Sequence, residues 1–300
     1  MASVGSVAQR ESSQSTMARA RARASLIPDL LIQAHHVANN VHAGWHGRRK
    51  RGIGENFWQF RPYVEGENMA SIDWRRSARD DYVYIRDREW QATHLVWIWI
   101  DESPSMLFKS NLATVSKQSR AVVLGLALAE LLARSGERIG LAGVTRPIVS
   151  RQAAERIGEA LSLAEPQTAF PSTLDVTGRS DVVLFSDFLD DPQQVSARLA
   201  RLARTGIRGH LVQIVDPVEE VFPYAGRIEF TDPETGEKLT AGNAASLREN
   251  YAGLFRAHVA AIRKAATGLG WSHTLHHTDK LASQALTSLH IHLGQDGGAR

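Results

Sequence analysis

The 300-residue sequence contains no cysteine. The chain therefore forms no disulfide, and it can provide neither a thiolate zinc site nor a catalytic thiolate. Hydrophobic residues make up 43% of the chain, enough for a sizeable core, but no apolar run approaches the roughly 20 residues that a membrane helix needs. The N-terminus also lacks the apolar segment of a signal peptide. We therefore expect a cytoplasmic globular protein without membrane insertion.

Motifs for nucleotide and zinc chemistry are missing as well. No segment fits the phosphate-loop pattern of Gly, four residues and Gly-Lys-Ser/Thr, and no G-x-G-x-x-G follows a predicted strand. The H-E-x-x-H motif of zinc peptidases is also absent. These absences predict a protein that is not an enzyme and turns over no nucleotide.

Acidic residues are scarce at the N-terminal end of the chain. Residues 1–52 carry eight basic and two acidic side chains, whereas the formal net charge of the whole chain is only +3. Residues 1–24 combine Ser, Ala and Arg with few large apolar side chains, which predicts a disordered basic tail. With the run Arg48–Arg51, this segment makes nucleic-acid binding an alternative function, which steep salt dependence would reveal. Because short basic runs are usually solvated, we do not expect nucleic acid as the partner.

One apolar segment, residues 95–100, predicts a strand buried on both faces, because β-branched and aromatic side chains dominate it. Asp101, Ser103 and Ser105 follow this strand at alternate positions. Their carboxylate and two hydroxyls are ligands suited to a hard cation such as Mg²⁺. The alternative is that Ser103 or Ser105 caps a following helix and that Asp101 takes part in a turn.

Strands and helices alternate along most of residues 93–293. This alternation predicts an α/β domain with a doubly wound, mainly parallel sheet and helices on both faces. A further buried strand runs from Asp181 to residue 186 and is followed by Asp187. Because the carboxyl ends of parallel strands share one edge of a sheet, we expect Asp101 and Asp187 to lie there together. A predicted hairpin insertion, about residues 217–242, interrupts the alternation.

Residues 25–92 precede the sheet and predict an N-terminal helix followed by an accessory segment dense in aromatic and charged side chains. Residues 294–300 predict a flexible tail. Trp, Tyr and Arg are the side chains that most often dominate protein interfaces. The accessory residues predicted to bind a partner are Arg61, Tyr63, Asp73, Trp74 and Arg79.

The strand ends resemble those of the von Willebrand factor A-type fold. The metal-ion-dependent adhesion site (MIDAS) of that fold combines D-x-S-x-S after the first strand, a Thr from a middle loop and an Asp after a later strand. The resemblance implies a von Willebrand factor A-like domain that binds Mg²⁺ or Mn²⁺. The residues it implies as ligands are Asp101, Ser103, Ser105, Asp187 and either Thr168 or Thr173, neither of which lies in the Gly-Gly-Thr often seen there.

The accessory segment resembles the family catalogued as domain of unknown function 58 (DUF58). The motifs that carry this resemblance span residues 60–68, 72–79, 186–190 and 232–236, and the resemblance covers about residues 26–293. Members of the family are commonly encoded beside MoxR-type AAA+ ATPases and are thought to act as their partners. The resemblance therefore implies a metal-dependent protein-interaction module that serves such an ATPase as partner or adaptor.

Two metal-based alternatives stay open at this point. A metal-dependent hydrolase could use the same ligands, but no His lies at motif spacing to act as its base. A zinc site could form near the C-terminus, where strand alternation puts His273 and His277 on one face. The histidines in question are His273, His276, His277, His290 and His292, and the more ordinary role for them is hydrogen bonding.

Overall fold

The structure, a computed structural model, describes residues 25–42, 59–63, 72, 74–79, 82–87, 94–171, 174 and 180–294. The chain divides into two compact units, residues 1–43 with 93–300 and residues 44–92. Three predicted segments lie outside the described residues, namely the basic tail of residues 1–24, the run Arg48–Arg51 and the C-terminal tail beyond residue 294.

The smaller unit contains a two-stranded antiparallel sheet. Its strands are β1 (Gln59–Pro62) and β2 (Tyr84–Asp87), and a short helix α2 (Trp74–Ser77) lies between them in the sequence. The Ser77 hydroxyl accepts the backbone N–H of Tyr84 at 2.9 Å, which ties the helix to the second strand. The predicted small β-containing segment before the main sheet is therefore present.

The larger unit is built on five parallel strands. In sheet order these are β4 (Arg138–Leu141), β3 (Leu95–Ile100), β5 (Ser180–Ser186), β6 (Arg208–Val215) and β9 (Ser272–His277). Every residue of β3 and β5 is buried. Continuous burial is expected where helices cover both faces of a parallel sheet.

Helices cover the sheet on both sides. One face carries α1 (residues 25–42), α3 (Lys117–Arg134), α4 (Ala153–Leu163) and α8 (Ala282–Gly294), and the other carries α5 (Pro192–Ala203) and α7 (Arg248–Thr267). Gly125 lets α3 approach the sheet closely, because a Cβ there would meet the Ile100 side chain at 2.9 Å. The predicted fold class, an α/β domain with a doubly wound parallel sheet and helices on both faces, is confirmed. None of the described helices is long and apolar enough to span a membrane.

Helix α1 belongs to the unit that holds the sheet, whereas the sequence grouped it with the accessory segment as residues 25–92. Its apolar side chains explain the difference. A Cβ added to Gly158 would lie 3.2 Å from Ile27 and 3.3 Å from Leu31, so this helix packs closely against α4. Its periodicity predicted a helix but carried no information about which surface it covers.

The strand order reverses between β3 and β5. From β3 the chain adds β4 on one side of the sheet, then returns and adds β5, β6 and β9 on the other side. A crevice outside the carboxyl ends of the strands at such a reversal is where doubly wound sheets bind ligands. Residues that follow β3 and β5 therefore lie at the edge where such folds bind ligands.

A hairpin extends from the sheet between β6 and α7. Helix α6 (Pro217–Val221) leads into strands β7 (Ile228–Thr231) and β8 (Lys238–Ala241), which pair antiparallel. The base of the hairpin is held by stacked rings, with the Phe222 ring centroid 4.4 Å from that of Tyr251 and 5.7 Å from that of Phe230. Residues 231–240 are all exposed, so the base rather than the tip anchors the hairpin.

Candidate functional site

The loop after β3 brings the predicted carboxylate and hydroxyls together. The Asp101 N–H donates to the Phe185 carbonyl at 2.9 Å, which extends the pairing of β3 with β5 by one residue. The Asp101 Oδ1 accepts the Ser103 N–H at 2.9 Å, and the Ser103 and Ser105 hydroxyl oxygens lie 3.1 Å apart. Ser103 occupies the N-cap position of a short 3-10 helix, Pro104–Leu107, but its side chain makes no capping hydrogen bond there. The capping alternative therefore does not account for its hydroxyl.

The Asp101 carboxylate is buried and short of positive charge. Only 7% of the residue is exposed, and its Oδ2 accepts the Ser186 hydroxyl at 2.6 Å. Burial raises the pKa of Asp101 to about 6, and the neighbouring Asp187 charge adds to this effect, although hydrogen bonds from Ser186 and Ser103 oppose it. A raised carboxyl pKa shows that the local field disfavours the negative charge. A cation bound beside Asp101 would relieve that cost.

Asp187 follows β5 and is held by a lysine that sequence reasoning missed. The Lys117 ammonium donates to Asp187 Oδ2 at 2.8 Å and to Glu219 Oε1 at 2.6 Å, and this lysine is fully buried. Burial lowers the pKa of Lys117, but the charges of Asp187 and Glu219 outweigh burial and raise it overall. Lys117 is the first residue of α3, where a cation opposes the helix dipole. This unfavourable position is the one feature of the sequence that could have indicated a special role for Lys117.

The backbone beyond Asp187 is fixed by side chains from three elements. Phe188 has a φ of 51°, a left-handed conformation that costs on the order of 1 kcal/mol in a residue with a side chain. Its N–H donates to the Ser186 hydroxyl at 2.9 Å, and its carbonyl lies 2.7 Å from His258 Nε2. Gln213 donates to the Asp187 carbonyl at 2.9 Å. The strained turn thus holds the Asp187 side chain at the edge of the sheet.

The middle loop reaches the same edge. The Glu102 N–H donates to the Gln167 carbonyl at 2.9 Å, and the Gln167 N–H donates to Glu102 Oε2 at 3.0 Å. This reciprocal pair places Thr168 beside the loop that follows β3, and Thr168 lines the same cavity as Asp101 and Asp187. Thr173, the other candidate, lies outside the described residues.

A cavity of about 760 Å³ opens at this edge. All five predicted metal ligands, with Thr168 as the threonine, line the cavity. Trp99, Phe170 and residues 231–234 at the tip of the hairpin line it as well. Its only two basic side chains among the described residues are already paired, Lys117 as above and Arg198 with Asp190. The acidic residues that line it are Asp101, Asp187, Asp190, Glu219, Asp232 and Glu234. The cavity therefore carries an excess of carboxylates, which suits a cation.

The accessory residues lie in the other compact unit. Trp74 is 64% exposed and Arg79 is also exposed, whereas Tyr63 is partly buried. Arg61 lies in β1, and Asp73 falls outside the described residues. An exposed Trp and Arg are available for contacts with another molecule.

The histidines near the C-terminus do not converge. His273 Nε2 lies 3.0 Å from Gln213 Oε1, and His277 Nε2 lies 2.6 Å from Glu220 Oε2, so each has its own partner. Within the part of the chain that the structure describes, the one group of three His, Asp or Glu side chains with converging ligand atoms is His35, Glu130 and Glu155. The zinc hypothesis for the C-terminal histidines is therefore not supported by their positions.

Comparisons with known proteins give one family match. A family model described as "Protein of unknown function DUF58" matches residues 59–261, which run from β1 into α7. The uncharacterized proteins Rv1480 of Mycobacterium tuberculosis (strain ATCC 25618 / H37Rv) and Mb1516 of Mycobacterium bovis are each 24% identical over 241 residues, which cover 73% of this chain and 73% of each relative.

Two solved structures are similar at low identity. An aerotolerance-related membrane protein from Bacteroides fragilis has a TM-score of 0.42 and 15% identity, covering 68% of this chain and 99% of that one. The conserved hypothetical protein BatB from Bacteroides thetaiotaomicron has a TM-score of 0.38 and 12% identity, covering 68% of this chain and 100% of that one.

Proposed function

We propose that this chain, which belongs to the DUF58 family of proteins of unknown function, is a non-catalytic interaction module that binds Mg²⁺ or Mn²⁺ and captures a partner protein at that site. One observation carries the proposal. The ends of β3 and β5 bring Asp101, Ser103, Ser105 and Asp187 into one acidic cavity at the point where the strand order reverses.

The residues present fit a divalent cation of the hard type. Carboxylate and hydroxyl oxygens are the ligands that Mg²⁺ and Mn²⁺ prefer. The raised pKa of Asp101 indicates that its charge is under-neutralised, and the paired Lys117 does not reach every carboxylate of the cavity. Asp101, Ser103, Ser105 and Asp187 would hold the ion, with Thr168 as a further ligand. With so few charged ligands we expect an affinity on the order of millimolar.

A bound ion supplies a positive centre that an acidic side chain of another protein can reach. One such contact does not make an interface, so apolar area must surround it. Phe108 and Leu189 line the cavity and are 38% and 48% exposed, and Leu107, which precedes Phe108 in the chain, is 46% exposed. In the second unit, Trp74 and Arg79 offer an additional contact surface.

The partner we propose is a MoxR-type AAA+ ATPase. The family to which the chain belongs supports this choice, since its members are commonly encoded beside such ATPases.

The test immobilises the protein and measures how much of the MoxR-type ATPase encoded beside it is captured, in the presence of Mg²⁺ or of a chelator. We expect Asp101→Asn or addition of chelator to reduce capture about tenfold, because either removes the positive centre. The matched control is Asp29→Asn, which changes an exposed Asp on α1. Capture that is equal for wild type and folded Asp101→Asn, with and without chelator, would contradict the proposal.

A further inference from the structure

The tip of the hairpin makes a specific contact with the loop that follows β3. Glu234 Oε1 accepts the backbone N–H of Ser105 at 2.9 Å, although the two residues are 129 positions apart. Ser105 is one of the two serine ligands of the proposed site, and Glu234 lines the same cavity. A carboxylate from this chain therefore already lies beside the residues proposed to bind the cation.

The turn that carries Glu234 is held in shape by its own residues. Asp232 Oδ1 accepts the Glu234 N–H at 2.9 Å, and Asp232 Oδ2 accepts the Thr235 hydroxyl at 2.8 Å. Gly236 closes the turn with a φ of 75°, and its N–H donates to the Asp232 carbonyl at 2.8 Å. Because the backbone of Glu234 is fixed in this way, its carboxylate is presented to Ser105 with little loss of conformational freedom.

The tip can leave this position without disrupting the hairpin. The stacked rings of Phe222, Phe230 and Tyr251 hold the base, whereas the tip residues are exposed to solvent. A hydrogen bond from a backbone N–H to an exposed carboxylate exchanges readily with water. The contact between Glu234 and Ser105 is thus reversible while the strands β7 and β8 stay paired.

We propose that Glu234 is an intramolecular ligand of the site, which a carboxylate from the partner must replace. The inference rests on the proposed function, since it assigns to Glu234 the coordination place that a partner's acidic side chain would take. The chemistry of the two groups is the same, and the cavity already contains an excess of carboxylates that would repel a second acid unless the first one leaves. The hairpin tip then sets how easily a partner binds.

The test measures Mn²⁺ binding through the relaxation of water protons, with free acetate as the probe for an acidic ligand. Glu234→Gln keeps the shape of the side chain and removes its charge. We expect Mn²⁺ to bind about tenfold more weakly to this variant. Each bound Mn²⁺ should also relax water more strongly, because water fills the vacated place, and added acetate should reverse this effect in the variant more than in wild type.

The matched control is Glu237→Gln, an exposed acid on the same hairpin whose backbone carbonyl, not its carboxylate, accepts the Asp232 N–H. It should behave as wild type. If Glu234→Gln binds Mn²⁺ and relaxes water as wild type does, Glu234 is not a ligand and the inference is overturned. That result differs from failure of the proposed function, in which Asp101→Asn would also bind Mn²⁺ as tightly as wild type.

A readout without metal checks the contact itself. In the metal-free protein, Glu234→Ala should speed hydrogen exchange at the Ser105 N–H by about threefold or more, because the acceptor is lost. Exchange at the Asp101 N–H, which pairs with Phe185, should stay unchanged. Equal exchange at Ser105 in wild type and variant would show that the contact does not persist in solution and would overturn the inference.

Discussion

The two ends of strand β5 carry one buried acid each, and the two ends differ in how that charge is neutralised. At the start of the strand, Arg208 forms two hydrogen bonds to the Asp181 carboxylate at 2.9 and 2.7 Å, and His94 Nε2 lies 3.0 Å from Asp181 Oδ2. Burial alone would raise the pKa of Asp181, but contacts with His210, His94 and Arg208 outweigh it and hold the pKa well below its usual range.

The other end of the strand lacks this compensation. Asp187 shares one ammonium with Glu219, and Asp101 beside it has hydroxyl and N–H partners but no cation of its own. At Asp181 the fold therefore neutralises a buried carboxylate fully, at an end of the strand for which we predict no binding site. Under the proposed function, the less complete neutralisation of the acids at this edge lowers stability in favour of cation binding.

Replacing Asp by Asn should change the free energy of unfolding differently at Asp181 and at Asp101, which lies beside Asp187 at the other end of β5. This is the largest difference that we expect. Asp181→Asn removes a buried charge that contacts with His210, His94 and Arg208 stabilise, and should cost about 4 kcal/mol in the free energy of unfolding. Asp101→Asn should cost nothing or stabilise the protein at pH 7.5, because it removes a carboxylate that burial disfavours. Urea unfolding of both variants measures the comparison, and equal losses would show that the two ends do not differ.

Removal of the buried ammonium should sharpen the comparison further. Lys117→Met keeps most of the side-chain volume but leaves Asp187 and Glu219 without their shared cation, so we expect a loss of about 3 kcal/mol in the free energy of unfolding at pH 7.5. The control is Arg134→Met, which breaks a partly exposed pair with Glu130 and should cost less than about 0.5 kcal/mol. Thermal or urea unfolding that ranks the two variants equally would contradict the role of Lys117.

The pH dependence of stability should reveal Asp101 directly. Its pKa is about 6 in the folded protein and 3.8 when unperturbed, so between these values the folded state binds more protons than the unfolded state. Stability contributed by protonated Asp101 is therefore present at low pH and is lost as the pH rises through about 6. Between pH 4 and 7.5, wild type should lose about 2 kcal/mol relative to Asp101→Asn. A constant difference between the two unfolding curves would contradict a raised pKa.

Much of this architecture is readable from the sequence. The alternation of strands and helices predicted the doubly wound sheet, because periodicity records which side chains are buried. The spacing of Asp101, Ser103 and Ser105 predicted that their polar groups would meet, because one tight turn places them all. Strand polarity then placed Asp187 at the same edge.

Other parts could not be predicted because they depend on contacts between distant segments. In the sequence, Lys117 is only a cation at an unfavourable helix start, and Glu234 belongs to the turn of a predicted surface hairpin. Only the fold shows that both reach the cavity. Likewise, Asp181 and Asp187 border the same apolar run, and nothing local indicates that Arg208 pairs with the first and Lys117 with the second.

The most direct test of the central claim is calorimetric titration of Mn²⁺ into wild type, Asp101→Ala and the exposed control Asp29→Ala. The account predicts binding on the order of millimolar for wild type and the control, and at least about tenfold weaker binding for Asp101→Ala. Circular dichroism should show that all three are folded. Identical Mn²⁺ binding by wild type and Asp101→Ala would contradict the claim that the acids at the ends of β3 and β5 form a cation site.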